Sequence, residues 1–121
     1  MRFDILSPSF SICRLHDISG IDFHAPFIFF SKTDTELSLV CPTADVPCTT
    51  HERSDGWRGF RVCGRMEFSL TGVMAEIAST LAHASIPLLA VSTFDTDYVF
   101  LKAEYLEHAK EALTARGHIM N

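Results

Sequence analysis

The sequence predicts an α+β fold made of two related halves, and three observations lead to this prediction. Pro26 opens an apolar run, Phe27–Phe30, which leads through a short polar turn into a second apolar run. A similar series opens at Pro87, 61 positions later, and passes through the polar segment Ser92–Asp97. Between the two series, apolar residues recur at helical spacing. A repeat of this kind indicates a structural unit that buries its apolar face against its copy.

Length and charge limit the classes of protein that the chain can represent. A chain of 121 residues forms one compact domain, or two very small ones that share a core. The net charge of -5 gives no surface for a phosphate backbone, so we expect no nucleic-acid partner. The first residues include Asp4 and Pro8 and no long apolar run, unlike a signal peptide. No apolar stretch approaches the roughly 20 residues of a membrane span, and we expect a cytoplasmic protein.

The first half is predicted to be rich in strands. Phe10–Leu15 is apolar and follows a proline turn, which is typical of a strand, and residues 16–25 form a loop. The runs on either side of Lys32–Thr35 form a hairpin, because the residues of this turn hydrogen-bond to their own backbone. Residues 42–47 have room for one or two helical turns. The polar stretch Thr49–Gly56 is predicted to connect the halves.

The second half begins with a strand over Trp57–Met66, in which Arg61 points outward. The spacing then changes to that of a helix, for which Ser69 is the predicted N-cap and which Pro87 terminates. The apolar stripe of this helix consists of Leu70, Val73, Met74, Ile77, Leu81 and Ala84.

A second helix is predicted over Ala103–Ala115, after a hairpin that turns at Phe94–Asp97. Its inward residues are Leu106, Ala109 and Leu113. Arg116 and Gly117 form a favourable helix C-terminus, because a cation precedes a residue that tolerates left-handed geometry.

The order strand, helix, strand, strand, helix is the split βαβ pattern of ferredoxin-like folds. The first half has only the loop 16–25 where the second half has its long helix. We therefore predict an abbreviated unit over residues 1–56 and a complete βαββα unit over residues 57–121. Both faces of Phe27–Phe30 and Tyr98–Leu101 are apolar, which predicts cover from the companion half or from a second subunit.

Two segments resemble the ACT domain family. Met66–Val73, followed by a helix that ends at Ile86, resembles the opening of an ACT domain, whose first helix starts at a loop with a glycine. Ile86–Thr93 is similar to the next ACT strand, especially that of aspartate kinases. The segment Ser92–Tyr98 resembles the tandem ACT proteins, which include small stand-alone modules and the CASTOR-type arginine sensors. The resemblance covers most of residues 57–116 and, more weakly, residues 9–47.

The resemblance implies a ferredoxin-like ACT fold with two units in tandem, and a regulatory protein that senses an amino acid. Such a protein is not an enzyme, needs no cofactor, pairs side by side as a homodimer and acts on a separate protein target. The ligand in such proteins lies between units. In this sequence the implied ligand-binding positions are Ser69, Leu70, Thr71, Gly72 and Val73 on one side, and Thr93, Phe94, Asp95 and Asp97 on the other.

Elementary physical chemistry supports a zwitterion at these positions. A helix N-terminus offers unpaired amides to a carboxylate, and Gly72 lets a ligand approach the backbone. Asp97 or Asp95 supplies a charge-assisted hydrogen bond to an ammonium group, and Phe94 excludes water. Each residue also has a purely structural interpretation: Ser69 as a helix cap, Asp95 as a turn residue, Asp97 as a solvated charge and Phe94 as a core residue.

Two other functions are considered. The first is a ligand-free structural module for dimerisation or protein interaction. The second is a small enzyme that uses Cys48 or a histidine, but no catalytic residue is assigned because Cys48 and His51 are close only in sequence. No metal site is predicted either, since the pair lacks a second pair at ligand spacing. We expect Cys13, Cys41 and Cys63 to be reduced and to pack in the core.

Overall fold

The computed structural model describes residues 1–63 and 72–121. It is a mixed α+β structure with two α-helices, as predicted. In chain order the elements are β1 (Arg2–Ile5), β2 (Phe10–Leu15), β3 (Phe29–Lys32), β4 (Leu37–Pro42), a 3₁₀ turn (Thr43–Asp45), β5 (Thr50–Val62), α1 (Val73–His83), β6 (Leu89–Ser92), β7 (Asp97–Lys102), a 3₁₀ turn (Ala103–Tyr105), α2 (Leu106–Ala115) and β8 (Ile119–Met120).

The chain divides into two compact units. We call Pro8–Trp57 the hairpin unit, and Met1–Ser7 together with Arg58–Asn121 the helical unit. Strand β5 contributes residues to both. The first seven residues therefore belong with the C-terminal part of the chain, because β1 pairs with the end of β5 and with β8.

The hairpin unit is an antiparallel sheet in the order β3-β4-β2-β5. The predicted strand at Phe10–Leu15 and the short helical turn after Pro42 are confirmed. The hairpin predicted around Lys32–Thr35 is present, with its turn one residue later, at residues 33–36. Its small core is formed by four buried residues: Cys13, Leu15, Leu39 and Cys41. Two of the three cysteines expected in a core are thus buried, and Cys63 is half-buried.

The predicted connector Thr49–Gly56 is wrong, because Thr50 opens the 13-residue strand β5. Its polar residues are mostly exposed, and the strand is held by backbone pairing with β2 rather than by apolar burial. A β-bulge interrupts the pairing where Trp57 lies opposite Phe10, and Gly56 adopts a φ of 82° there. A positive φ at this position favours glycine.

The helical unit contains β6, β7, the end of β5, β1 and β8, paired in that order. β1 and β8 are parallel, and the other pairs described by a register are antiparallel. The core takes residues from the strands and from both helices: Phe3, Phe60, Val62, Ile77, Leu81, Ile86, Val99, Leu101, Leu106, Ala109, Leu113 and Met120. β1 and β8 were not expected from the sequence.

The helix stripes are confirmed where the structure describes them. Ile77 and Leu81 are buried in α1, and Val73, Met74 and Ala84 pack against the same core. The three residues expected to point inward from α2 are buried. The predicted N-cap Ser69 and the stripe residue Leu70 lie outside the described residues, and α1 begins at Val73 with Gly72 at its N-cap position.

Both helices end in the same Schellman hydrogen-bond pattern. After α2, the amide of His118 donates to Leu113 and that of Gly117 to Thr114. After α1, the amide of Ile86 donates to Leu81 and that of Ser85 to Ala82. The left-handed position is Gly117 (φ 89°) in one and Ser85 (φ 59°) in the other. The predicted stop at Gly117 is therefore confirmed.

Strand β7 is covered on both faces. Val99, Phe100 and Leu101 are all at most 1% exposed. Phe100 lies against Gly59, where an added Cβ would come within 2.7 Å of the ring. A second subunit is therefore not needed to cover these residues, which removes the argument for a dimer that was based on this strand.

The two hairpins correspond to each other at an offset of 60 residues, one fewer than the sequence repeat indicates. Phe29 pairs with Val40 as Leu89 pairs with Phe100, and both second strands run directly into a 3₁₀ turn. Alignment of identical residue types, such as Pro26 with Pro87, therefore shifts the second hairpin by one residue relative to the structural correspondence. In a strand, one residue reverses which face a side chain occupies.

Candidate functional site

The turn of the second hairpin, residues 93–96, is closed by hydrogen bonds between Thr93 and Thr96. The amide of Thr93 donates to the carbonyl of Thr96 (2.9 Å), and the Thr93 hydroxyl donates to the same carbonyl (3.0 Å). The Thr93 hydroxyl oxygen also accepts from the amide of Thr96 at 3.3 Å. Thr93, one of the predicted ligand-binding residues, is thus engaged in closing the turn.

The other predicted residues of this turn differ in their surroundings. Phe94 is 66% exposed, so its interpretation as a core residue is wrong. Asp95 is exposed within the turn. Asp97 is half-buried at the start of β7, where its Oδ1 accepts a 2.6 Å hydrogen bond from the hydroxyl of Ser92 across the hairpin. Its carboxylate is held in place with acceptor capacity remaining.

Gly72 lies at the N-cap of α1 with a φ of 83°. Its carbonyl accepts the first helical hydrogen bond, from Glu76 at 2.9 Å. A Cβ added to Gly72 meets nothing within 4 Å among the described residues. Val73 is the first helical residue and packs its side chain against the core. Ser69, Leu70 and Thr71 lie outside the described residues.

Thr96 is a structurally important residue of this turn that the sequence analysis missed. Its hydroxyl donates to the carbonyl of Val62 at 3.1 Å, and the residue is only 8% exposed. This bond fixes the turn to the end of β5. The recurrence of Asp-Thr at Asp34-Thr35 and Asp95-Thr96 does not indicate this role, because the structural equivalent of Thr96 is Glu36.

Cys63 follows Val62 at the same end of β5, and its amide donates to the carbonyl of Arg2 at 2.9 Å. Desolvation by burial raises the pKa of the Cys63 thiol, and the nearby Asp4 carboxylate raises this pKa further. A thiol with a raised pKa stays protonated at neutral pH and is a poor nucleophile or metal ligand.

The residues considered for metal or thiol chemistry do not form a centre. Cys48 is exposed, and the His51 ring lies 4.5 Å from the ring of His16 and 3.8 Å from the carboxylate of Glu52. Among residues 1–63 and 72–121, no group of three or more His, Cys, Asp and Glu side chains is arranged to hold a metal ion.

The helices are also short. In the part of the chain that the structure describes, no helix combines the length and the apolar character needed to cross a membrane.

Two helices and paired antiparallel hairpins define the class of small, sheet-dominated α+β domains. The sequence profile of the ACT domain matches residues 52–115, which is more than half of the chain. The chain belongs to the ACT domain family. ACT domains are in general regulatory modules that bind small ligands.

Solved structures agree with this assignment. A protein from Agobacterium tumefaciens, Atu0741, is 30% identical, with 99% of this chain and 91% of that chain covered and a TM-score of 0.87. The aspartokinase alpha and beta subunits have the same fold at 17% identity, with 95% and 96% covered and a TM-score of 0.66.

The regulatory subunit of aspartate kinase from Thermus thermophilus also has this fold, at 12% identity with 89% and 92% covered and a TM-score of 0.60. No curated protein sequence matches the chain significantly.

Proposed function

We propose that this protein is a non-catalytic ACT module that senses an amino acid. The ligand binds at the N-terminus of α1 and the turn 93–96, with residues Ser69–Val73 on one side and Thr93, Phe94, Asp95 and Asp97 on the other. Because the proposed role includes no catalysed reaction, ligand binding must act through an interaction. We propose that it changes the association of the protein with a second copy or with a separate protein target.

The observation that carries this proposal is the conformation of Gly72. Among the described residues, nothing lies within 4 Å of a Cβ added to this left-handed glycine, which precedes an 11-residue helix. The first amides of a helix have no intrahelical partner and attract a carboxylate. Asp97, which Ser92 holds across the hairpin, supplies the negative charge for an ammonium group.

The internal correspondence supports two ACT-type units in tandem, the first abbreviated. The hairpin unit repeats the hairpin and 3₁₀ turn of the helical unit. In chain order, residues 16–28 occupy the position in the first half that α1 occupies in the second half. A homodimer is also proposed. Among the described strands, β6 pairs with β7 alone, so its second edge is available for strand pairing with another copy.

Equilibrium dialysis and thermal-shift measurements with each of the twenty amino acids test this proposal. We expect specific stabilisation by one amino acid or a few related ones, because a ligand that binds only the folded state raises its stability. Silence with all twenty would favour the alternative, a ligand-free module for dimerisation or protein interaction.

Substitutions locate the site. Gly72→Ala and Asp97→Ala are expected to weaken binding about tenfold or more, since each removes backbone access or a charged hydrogen bond. Gly117→Ala is the control for Gly72→Ala, because Gly117 also has a positive φ and open space but lies at the end of α2. Equal affinity in Gly72→Ala, Asp97→Ala and Gly117→Ala would place the ligand elsewhere.

A further inference from the structure

The hairpin unit contains a polar basin of its own, at the end of the sheet where the first hairpin turns. The cavity has a volume of about 400 Å³ and is lined by Arg14, Leu15, His16, Thr33, Thr35, Glu36, Leu37 and His51. We call this the Arg14–Glu36 basin. Its volume lies in the range of small-ligand sites, about 300–1,000 Å³.

Two apolar residues, Leu15 and Leu37, are among the residues that line the basin. Leu15 is 5% exposed, and Leu37 packs against the same small core. The polar groups come from β2 and the residue that follows it, from the turn 33–36 and from β5. Polar groups that converge on one cavity can fix the orientation of a small molecule.

The turn holds one wall in place. The hydroxyl oxygen of Thr33 accepts from the amides of Thr35 and Glu36, both at 3.2 Å. The amide of Thr33 donates to the carbonyl of Glu36 at 3.0 Å. These bonds fix the backbone of Glu36, and therefore the position of its Cβ beside the basin.

Two imidazoles also line the basin. The amide of His16 donates to the carbonyl of Thr49 at 3.0 Å, which brings the end of β2 to the start of β5. The rings of His16 and His51 consequently lie 4.5 Å apart, tilted by 57°. The Nε2 of His51 lies 3.8 Å from the Glu52 carboxylate, so Nδ1 of this ring and the ring nitrogens of His16 are the candidate donors to an anion.

The basin is lined by charges of opposite sign, Arg14 and Glu36. Arg14 lies opposite Ser38 on one side and Glu52 on the other. Across residues 1–63 and 72–121, its guanidinium forms no ion pair or hydrogen bond, and neither does the carboxylate of Glu36. A cation and an acid that line one cavity without meeting each other match a ligand that carries both charges.

Comparison of the two hairpin turns supports a distinct role for Glu36. At the equivalent position of the second turn stands Thr96, which is buried and bonded to the carbonyl of Val62. Glu36 is exposed and makes no such bond to any described residue, although its turn closes with the same backbone hydrogen bond. A residue that is not needed to fasten the turn is available for a ligand.

We propose that the Arg14–Glu36 basin binds a small zwitterion that carries a carboxylate and an ammonium group. Arg14, together with the imidazoles of His16 and His51, takes the carboxylate, and Glu36 takes the ammonium. This is a second site within the hairpin unit. It does not depend on the site proposed at Gly72 and the turn 93–96.

The test is a titration of the full chain, labelled with ¹⁵N, with each of the twenty amino acids up to about 10 mM, the weak end of specific binding. We expect at least one amino acid to shift the amides of Thr35, Glu36 and His51 in a saturable way. Shifts at Gly72, Thr93 and Thr96 report the other proposed site separately. No saturable shift at the basin with any amino acid would overturn this inference and leave the other proposal standing.

Matched variants identify the groups involved. Arg14→Gln and Glu36→Gln are each expected to weaken binding at the basin about tenfold or more, as loss of a charged hydrogen bond does. Lys32→Gln and Asp34→Asn remove one positive and one negative charge from the first hairpin at residues that do not line the basin, and should change the affinity less than about twofold. Equal losses in the basin variants and in these controls would overturn the assignment.

Acetate and ethylamine separate the two halves of the ligand. Each carries one of the two charges, and we expect each to bind at least about tenfold more weakly than the best amino acid. Binding of acetate as strong as that of the amino acid would show a simple anion site and overturn the role of Glu36.

Discussion

One residue at the end of α1 has a backbone conformation that is unfavourable for its side chain. Ser85 occupies the left-handed position after α1 that Gly117 occupies after α2. A side chain in this conformation costs roughly 1–2 kcal/mol, and glycine relieves that cost at some expense in unfolded-state entropy. Ser85→Gly should therefore raise the free energy of unfolding by about 0.5–1 kcal/mol.

Urea denaturation of the full chain measures this effect. Gly117→Ser makes the reverse change at the equivalent position and should lower the free energy of unfolding by about 1 kcal/mol. A destabilised Ser85→Gly variant would show that the Ser85 side chain contributes contacts of its own.

Cysteine reactivity is a second property set at the level of the residue. Burial raises the pKa of Cys41 to about 12, and burial also raises the pKa of Cys13. Because a raised pKa keeps a thiol protonated, both remain thiols at pH 8, and only the thiolate reacts with iodoacetamide. We expect Cys48, which is exposed, to be alkylated first in the folded protein.

Mass spectrometry after peptide digestion identifies the alkylated positions. The same labelling in denaturant should modify Cys13 and Cys41 as well, since unfolding removes the burial. Rapid labelling of Cys41 in the folded protein would contradict the packing of the hairpin-unit core.

At the level of the element, the positions of the hairpin turns are predictable from the sequence, but the hydrogen bond that anchors the second turn to β5 is not. The sequence placed both turns within a residue of their observed positions, because Thr and Asp form turns by hydrogen bonds to nearby backbone. The bond from Thr96 to Val62 joins residues 34 positions apart, and local patterns carry no record of it.

The contribution of the hydrogen bond from Thr96 to Val62 can be tested with isosteric substitutions. Thr96→Val leaves a buried hydrogen bond unmade and should lower the free energy of unfolding by about 1–2 kcal/mol. Thr35→Val in the exposed first turn is the control and should change it by less than about 0.5 kcal/mol. Chemical denaturation of both variants gives the comparison, and equal effects would contradict the anchoring role of Thr96.

Other elements show why sequence analysis succeeded or failed. The helix faces were predictable because Leu106, Ala109 and Leu113 recur at the helical period. The first part of β5 was missed because its residues are mostly polar, and short β1 and β8 were missed because each needs a distant partner. For the proposed ligand site, the sequence indicated Gly72 and the acids Asp95 and Asp97 as candidates, because glycine at a helix start and acids in a turn are local features. The basin was missed because Arg14, Glu36 and His51 converge only in three dimensions.

At the level of the whole molecule, the family match and the folding unit have different boundaries. The match spans residues 52–115, but the core of the helical unit also contains Phe3 of β1 and Met120 of β8. Backbone bonds from Cys63 to Arg2 (2.9 Å) and from Ile5 to Asn121 (2.8 Å) connect these strands. A fragment of residues 52–115 should therefore fail to fold.

A proton NMR spectrum of the fragment, beside that of the full chain, checks this expectation. Narrow amide dispersion for the fragment is the expected result. Full dispersion would mean that β1 and β8 add little to the stability of the helical unit.

The two hairpin turns close alike but end differently, at Glu36 in one and Thr96 in the other. If the halves arose by gene duplication, the copies were free to diverge at this position only where the buried anchor was dispensable. Natural variation at position 96 is then restrained by folding, whereas position 36 is left for selection to shape through whatever small molecules the cell supplies.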